Sequence, residues 1–255
     1  MFALSALSAH TTSSESELRG FLLELHAYLV LVGHITFSSD ICQRYIPLDP
    51  FVLSLGHLRQ YSTAGCLLGC AHQLYQYIPM ISAFSQTQLN SDIDECTRGQ
   101  SDQQYQLMLA EIDAWKVPSD DIESSSELTL AANIMKLAVL TFLHAAYYCC
   151  NPASVDFRNI VLPLVTEMFM QSGAIHNTPA SATVLWPAII IGPCATISAH
   201  QELFRQYLKD AMYEMPIVDL ALQFLEWVWA DEAGIIGPMG LEMIMKRHHI
   251  DFCMS

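Results

Sequence analysis

Leu185-Trp186-Pro187-Ala188-Ile189-Ile190-Ile191-Gly192-Pro193-Cys194-Ala195 is an apolar run carrying two prolines and a glycine, and Gln201-Glu202-Leu203-Phe204-Arg205-Gln206-Tyr207-Leu208 follows with charges set among apolar positions. A continuous apolar run of this kind suits an element buried on every side. The second stretch suits a helix with one wet face. Together they read as a core segment (180–198) leading into an amphipathic helix (201–214). No catalytic motif has this shape.

The helical period continues on both sides. Residues 216–229 form a helix whose Pro216 sits where a first turn tolerates a missing N–H, and a short helix near 238–247 closes the set. Residues 155–172 form another, kinked at Pro163 and ended by Gly173. The strongest pattern spans Ser126–Cys150, with Ala131, Ile134, Leu137, Ala138, Thr141, Phe142 and Ala145 on one face. Ser124, Ser125 or Ser126 supplies a cap, Glu127 favours the first turn, and Asn151-Pro152 stops the helix. Residues 101–115 make a helix with Leu107, Leu109, Ile112 and Trp115 apolar. Residues 54–78 read as one long helix ended by Ile78-Pro79, since the residue before proline disfavours the α region; Gly65 and Gly69 in it read as close-packing positions. Leu22, Leu25, Leu29 and Val32 define a further apolar face. No alternating strand is found, so the expected fold is all-α: an array of packed antiparallel helices in a single domain over 1–255.

Two polar segments, 86–104 and 117–127, read as acidic loops. Ser91 to Glu127 holds ten acidic and two basic residues, a net −8 out of the chain's −15. The plain reading is solvation; the sharper one is a contact surface for a basic partner. Apolar residues make up 52% and charged residues 15%, which implies a packed chain rather than a disordered one. A nucleic-acid reader needs a basic face against phosphate. With 11 Lys+Arg, the densest basic spot is Lys246-Arg247-His248-His249, so direct DNA binding by this chain is not expected. The eight cysteines lie mostly among apolar residues, which points to a reducing compartment. Residues 1–9 lack the basic start of a signal peptide. The runs Leu137–Cys150 and Val184–Ala199 are short for a bilayer, and Phe21–Phe37 contains Glu24, His26 and His34; no membrane association is expected.

Cys66-x3-Cys70-x-His72 has the look of a metal half-site, because residues four apart share a helix face. It lacks a second pair at a recognisable spacing. His248-His249-x3-Cys253 places adjacent imidazoles in different directions. No nucleophile elbow, HExxH or phosphate-cradling glycine pattern occurs. The histidines are scattered: His26, His57, His72, His144 and His200 each lie among apolar residues. The expectation is therefore no catalytic residue, no cofactor and no metal. Two alternatives stay open. Tyr147, Tyr148, Trp186, Trp227 and Trp229 could line an apolar small-molecule pocket. Asp92, Asp94 and Glu95, or Asp120 and Asp121, could serve a helical biosynthetic enzyme.

Several blocks, in order, resemble the helical regulatory region of fungal binuclear zinc-cluster transcription factors. They are Met1–His10, Tyr77-Ile78-Pro79-Met80-Ile81-Ser82 as a helix end, Glu111-Ile112-Asp113-Ala114-Trp115, Leu137–Tyr148, the Trp186-Pro187 block with Gly192, Arg205, and Leu225-Glu226-Trp227-Val228-Trp229. The resemblance implies an all-helical nuclear regulator of transcription that acts through a protein partner, either a full-length zinc-cluster factor or a second copy, and is tuned by a small-molecule effector. It implies structural roles for Trp186, Pro187, Gly192, Arg205 and Trp229. Trp186 and Pro187 would start and anchor a helix, Gly192 would let another helix approach, and Arg205 would pair with a carboxylate or cap carbonyls. The chain departs from the family in having no C-x2-C-x6-C cluster. It is also short after His10, where Thr11–Ser16 leads straight into Leu18–Gly33. A fragment, a truncated paralogue and a shortened gene model are the three readings of that departure.

Overall fold

A computed structural model describes residues 13–33, 55–90, 95–118, 126–149, 151–176, 178–210 and 216–249. Among them are ten α-helices and no strand: α1 (Ser13–Val32), α2 (His72–Tyr75), α3 (Tyr77–Asn90), α4 (Glu95–Ala114), α5 (Ser126–Tyr147), α6 (Val155–Ser172), α7 (Leu185–Ile191), α8 (Ser198–Lys209), α9 (Pro216–Ala230) and α10 (Gly237–His248). Short 3-10 turns at Leu55–Gln60, Gly69–Ala71, Pro179–Val184 and Gly192–Cys194 join them. The all-α expectation holds.

The helices gather around α5. It packs against α2, α3, α4, α6, α7 and α10 and against the turns at Gly69–Ala71 and Pro179–Val184. The cause lies in its composition: every residue from Ala138 to Ala146 is buried, so the helix is apolar all round rather than along one stripe. By length and composition alone α5 would suffice to cross a membrane, yet 67% of its most apolar window is buried inside this fold.

The bounds of α6 agree with those read from its period. Its start is fixed by Ser154, whose hydroxyl accepts the Phe157 N–H at 3.0 Å. Pro163 sits within it on the exposed side. α8 begins at Ser198 and ends at Lys209, earlier at both ends than the expected 201–214.

Three expectations are corrected. Residues 54–78 are not one helix. Residues 55–78 form a turn, an irregular stretch, a second turn, α2 and the start of α3, because Gly65 and Gly69 adopt φ of +93° and +54°, which break a right-handed helix. Their role is thus conformational rather than close packing. Pro79 does not end a helix: it lies in the first turn of α3, where its missing N–H has no intrahelical partner to lose. Residues 86–90 and 95–104 are helical rather than loop, because α3 runs to Asn90 and α4 starts at Glu95; residues 91–94 lie outside the described residues. α4 is a polar helix held by the stripe Tyr105, Met108 and Ile112, all buried, while Leu107 stays 60% exposed. Of 117–127, residues 119–125 lie outside the described residues, and Ser126 and Glu127 open α5.

Of the face expected for α1, Val32 is buried, Leu25 and Leu29 are half-buried and Leu22 is 52% exposed; Gly20, Glu24, Ala27 and Leu31 also point inward. Glu24 is consequently buried, and its carboxylate accepts the backbone N–H groups of Leu67 and Leu68 at 2.8 Å each and of Gly65 at 3.1 Å. A buried carboxylate tolerates that position because backbone donors replace water. Glu24 thereby holds the irregular segment that the two glycines create.

Candidate functional site

α7 is too short to be stable alone and is buried from Trp186 to Ile191. Trp186 is fully buried, with its ring edge-on to Phe142 of α5 at 5.9 Å. Pro187 is buried in the first turn, where a proline costs no helical hydrogen bond. Gly192 ends α7 against α9. A Cβ there would meet the Leu225 methyl carbons at 2.8 and 2.9 Å, so only glycine lets α9 come this close without displacement. The Gly192 carbonyl accepts the Trp229 indole N–H at 3.0 Å.

Arg205 on α8 faces the same end of α9. Its Nε and a terminal nitrogen donate to the two Glu226 carboxylate oxygens at 2.5 and 2.8 Å, and its other nitrogen reaches Glu202 at 3.3 Å. This is the two-pronged geometry a planar guanidinium favours. The guanidinium lies 5.1 Å from the Trp229 ring centre, within cation–π range. Hydrogen bonding from Arg205 holds the Glu226 carboxyl below the usual carboxylate range. Gly192, Arg205, Glu226 and Trp229 therefore meet in one cluster, whereas Trp186 packs against α5.

A second polar group is buried between α4 and α5. The Tyr105 hydroxyl and His144 Nδ1 lie 2.9 Å apart, and Tyr105 stacks on Tyr147 at 4.0 Å. Burial lowers the His144 pKa to about 4, with Asp113 opposing in smaller measure. Burial likewise raises the Tyr105 pKa to about 12.

A third feature is an open cavity of about 520 Å³ between the turn at Leu55–Gln60, α2, the start of α3 and the end of α4. Three polar pairs edge it: Arg59 with His72 Nε2 at 3.1 Å, Gln73 accepting the Trp115 indole N–H at 3.0 Å, and Tyr77 donating to Glu111 at 3.1 Å.

Residues 1–254 match the fungal specific transcription factor domain. The chain belongs to that family. No curated protein and no solved structure matches it. A transcription-regulatory role is the one this family's description carries.

The blocks quoted for the family have distinct fates in the fold. Met1–His10 lies outside the described residues. Tyr77–Ser82 opens α3, and Glu111–Trp115 closes α4 and continues one residue beyond it. The aromatic residues offered for an apolar pocket have separate partners: Trp186 meets Phe142, Tyr147 meets Tyr105, Trp227 stacks on His248 at 4.0 Å, and Trp229 meets Arg205. Cys66 is exposed and Cys70 buried, and the positive φ at Gly69 removes the helical spacing that the half-site needs. No group of three His, Cys, Asp or Glu fit to hold a metal occurs among the described residues. Asp92, Asp94, Asp120, Asp121 and Cys253 lie outside them, and Glu95 begins α4.

Glu24, the Tyr105–His144 pair and the cavity were not read as sites from sequence. Only Glu24 left a local trace, as the polar member of the row Gly20, Glu24, Ala27, Leu31.

Proposed function

We propose that this chain is a non-enzymatic transcription-regulatory module that acts in the nucleus through a protein partner, with no DNA-binding element in residues 1–255. The match to the fungal specific transcription factor domain over residues 1–254 carries this reading. The net charge of −15 supports the indirect route, because a surface of that sign repels phosphate. The outer face of α1 supports the partner: Leu18, Phe21 and Leu22, spaced three and four apart, are 59%, 38% and 52% exposed. A full-length zinc-cluster factor or a second copy of this chain is the proposed partner.

Fusing the chain to an unrelated DNA-binding domain tests the reading. Reporter output should change relative to the DNA-binding domain alone, and L18D/L22D should abolish that change while leaving the melting temperature intact. The free chain should give no shift with duplex DNA at physiological salt. A fusion indistinguishable from the bare DNA-binding domain, or DNA binding by the isolated chain, overturns the proposal.

A further inference from the structure

We infer that the cavity beside Arg59 binds a small monocarboxylate with a flat apolar body. Its volume of about 520 Å³ lies within the usual range for small-molecule sites. Arg59 supplies the charge. Its hydrogen-bond partner is the imidazole of His72, and among the described residues no carboxylate pairs with it. An imidazole carries no negative charge, so this contact leaves the guanidinium charge uncompensated. In a chain of net charge −15 that places a cation with no ion-pair partner among the described residues on the wall of a cavity.

The rest of the wall fits the body of such a ligand. The Trp115 indole is tethered through Gln73, Tyr77 is tethered through Glu111, and both rings line the space. Met80, 48% exposed, adds an adaptable apolar surface. Glu111 sets the charge limit: it stands in the same wall as a carboxylate, so a second negative charge on the ligand meets repulsion. The site selects one carboxylate, not two. Binding is a property of the isolated chain and stands or falls separately from the transcriptional reading.

The test uses 3-phenylpropionate, its neutral amide and phenylsuccinate. Binding is read from the indole N–H signals of the four tryptophans by NMR, with Trp115→Phe assigning one of them. 3-Phenylpropionate should shift the Trp115 signal saturably, and the amide should bind at least about tenfold more weakly because the charge-assisted pair is lost. Arg59→Gln should weaken the acid by the same factor without weakening the amide. Glu111→Gln should improve phenylsuccinate by about threefold or more. Arg59 and Glu111 are exposed, so both variants should keep the parent melting temperature. An amide that binds as well as the acid, an Arg59→Gln chain with unchanged affinity, or no saturable shift up to about 10 mM overturns the inference.

Discussion

His144 should make the stability of this protein fall steeply in mild acid. Its imidazole is 8% exposed between α4 and α5, and burial lowers its pKa from 6.5 to about 4. The folded protein thus holds the neutral form while the unfolded chain takes up a proton. Between those two values the unfolded state binds more protons, so stability rises with pH and is lost as pH falls. The contribution is whole above about pH 6.5; with these values the linkage relation removes about 2 kcal/mol by pH 5 and about 3 kcal/mol by pH 4. Carboxylates titrate in the same window, so the measurement needs a reference chain. His144→Gln keeps a hydrogen-bonding group opposite Tyr105 and cannot ionise. Urea unfolding of both chains at several pH values between about 7.5 and 4.5 gives the difference. The parent should be the more stable near neutrality, and its advantage should shrink or reverse by about 2 kcal/mol at pH 5. A gap that stays constant with pH would falsify the assignment of a neutral buried imidazole.

Gly192→Ala should destabilise by about 1–3 kcal/mol, since the new methyl overlaps Leu225; the double variant with Leu225→Ala should lose less than the sum of the two single losses, as a thermal double-mutant cycle would show. Glu24→Ala should lose about 2–4 kcal/mol and raise amide hydrogen exchange at Gly65, Leu67 and Leu68, whereas Glu24→Gln should lose about half as much because it keeps one acceptor oxygen. Unchanged exchange at those amides would refute the role given to Glu24. The Arg205–Glu226 pair is partly exposed, so its coupling in a double-mutant cycle should be only about 0.3–1 kcal/mol, and Arg205→Lys should retain less than half of it for want of the second prong.

What the sequence discloses depends on how far apart the interacting residues lie. α6 is legible to the residue because its signals are local: an apolar period, Ser154 before it and Gly173 after it. The stretch 54–78 misleads for the opposite reason. It carries a helical period, yet its backbone is set by two left-handed glycines and by Glu24, more than 40 residues away. α4 is legible from residue 101 onward; its first turns hide because Arg98, Gly99 and Gln100 are exposed, and Tyr105, Met108 and Ile112, which anchor the helix to the core, all lie further on. For Arg205 the sequence narrows the partner to a carboxylate or a carbonyl; folding selects Glu226, 21 residues on. The cavity is invisible in any single segment, since its polar pairs join residues 13, 34 and 42 positions apart.

The blocks that carried the family resemblance come together as two groups, and the groups differ in kind. Around the end of α7, Gly192, Arg205 and the Leu225–Trp229 block satisfy one another: indole to carbonyl, guanidinium to carboxylate, leucine to glycine, while Trp186 packs on Phe142 of α5. That set of contacts fixes how α7, α8 and α9 pack, with the Arg205 guanidinium and the Trp229 indole already engaged. At the other end, Tyr77 and Met80 from one block and Glu111 and Trp115 from another stand around open space beside Arg59. An input to this domain would act at that open space, and its effect would spread through the elements packed on that wall. α3 and α4 both lean on α5, and α5 in turn touches α7. Occupation of the cavity should therefore slow amide exchange in α3 and α4 first, and in α5 only if the two groups are coupled. Exchange that slows around Arg205 while α3 and α4 stay unchanged would contradict that order.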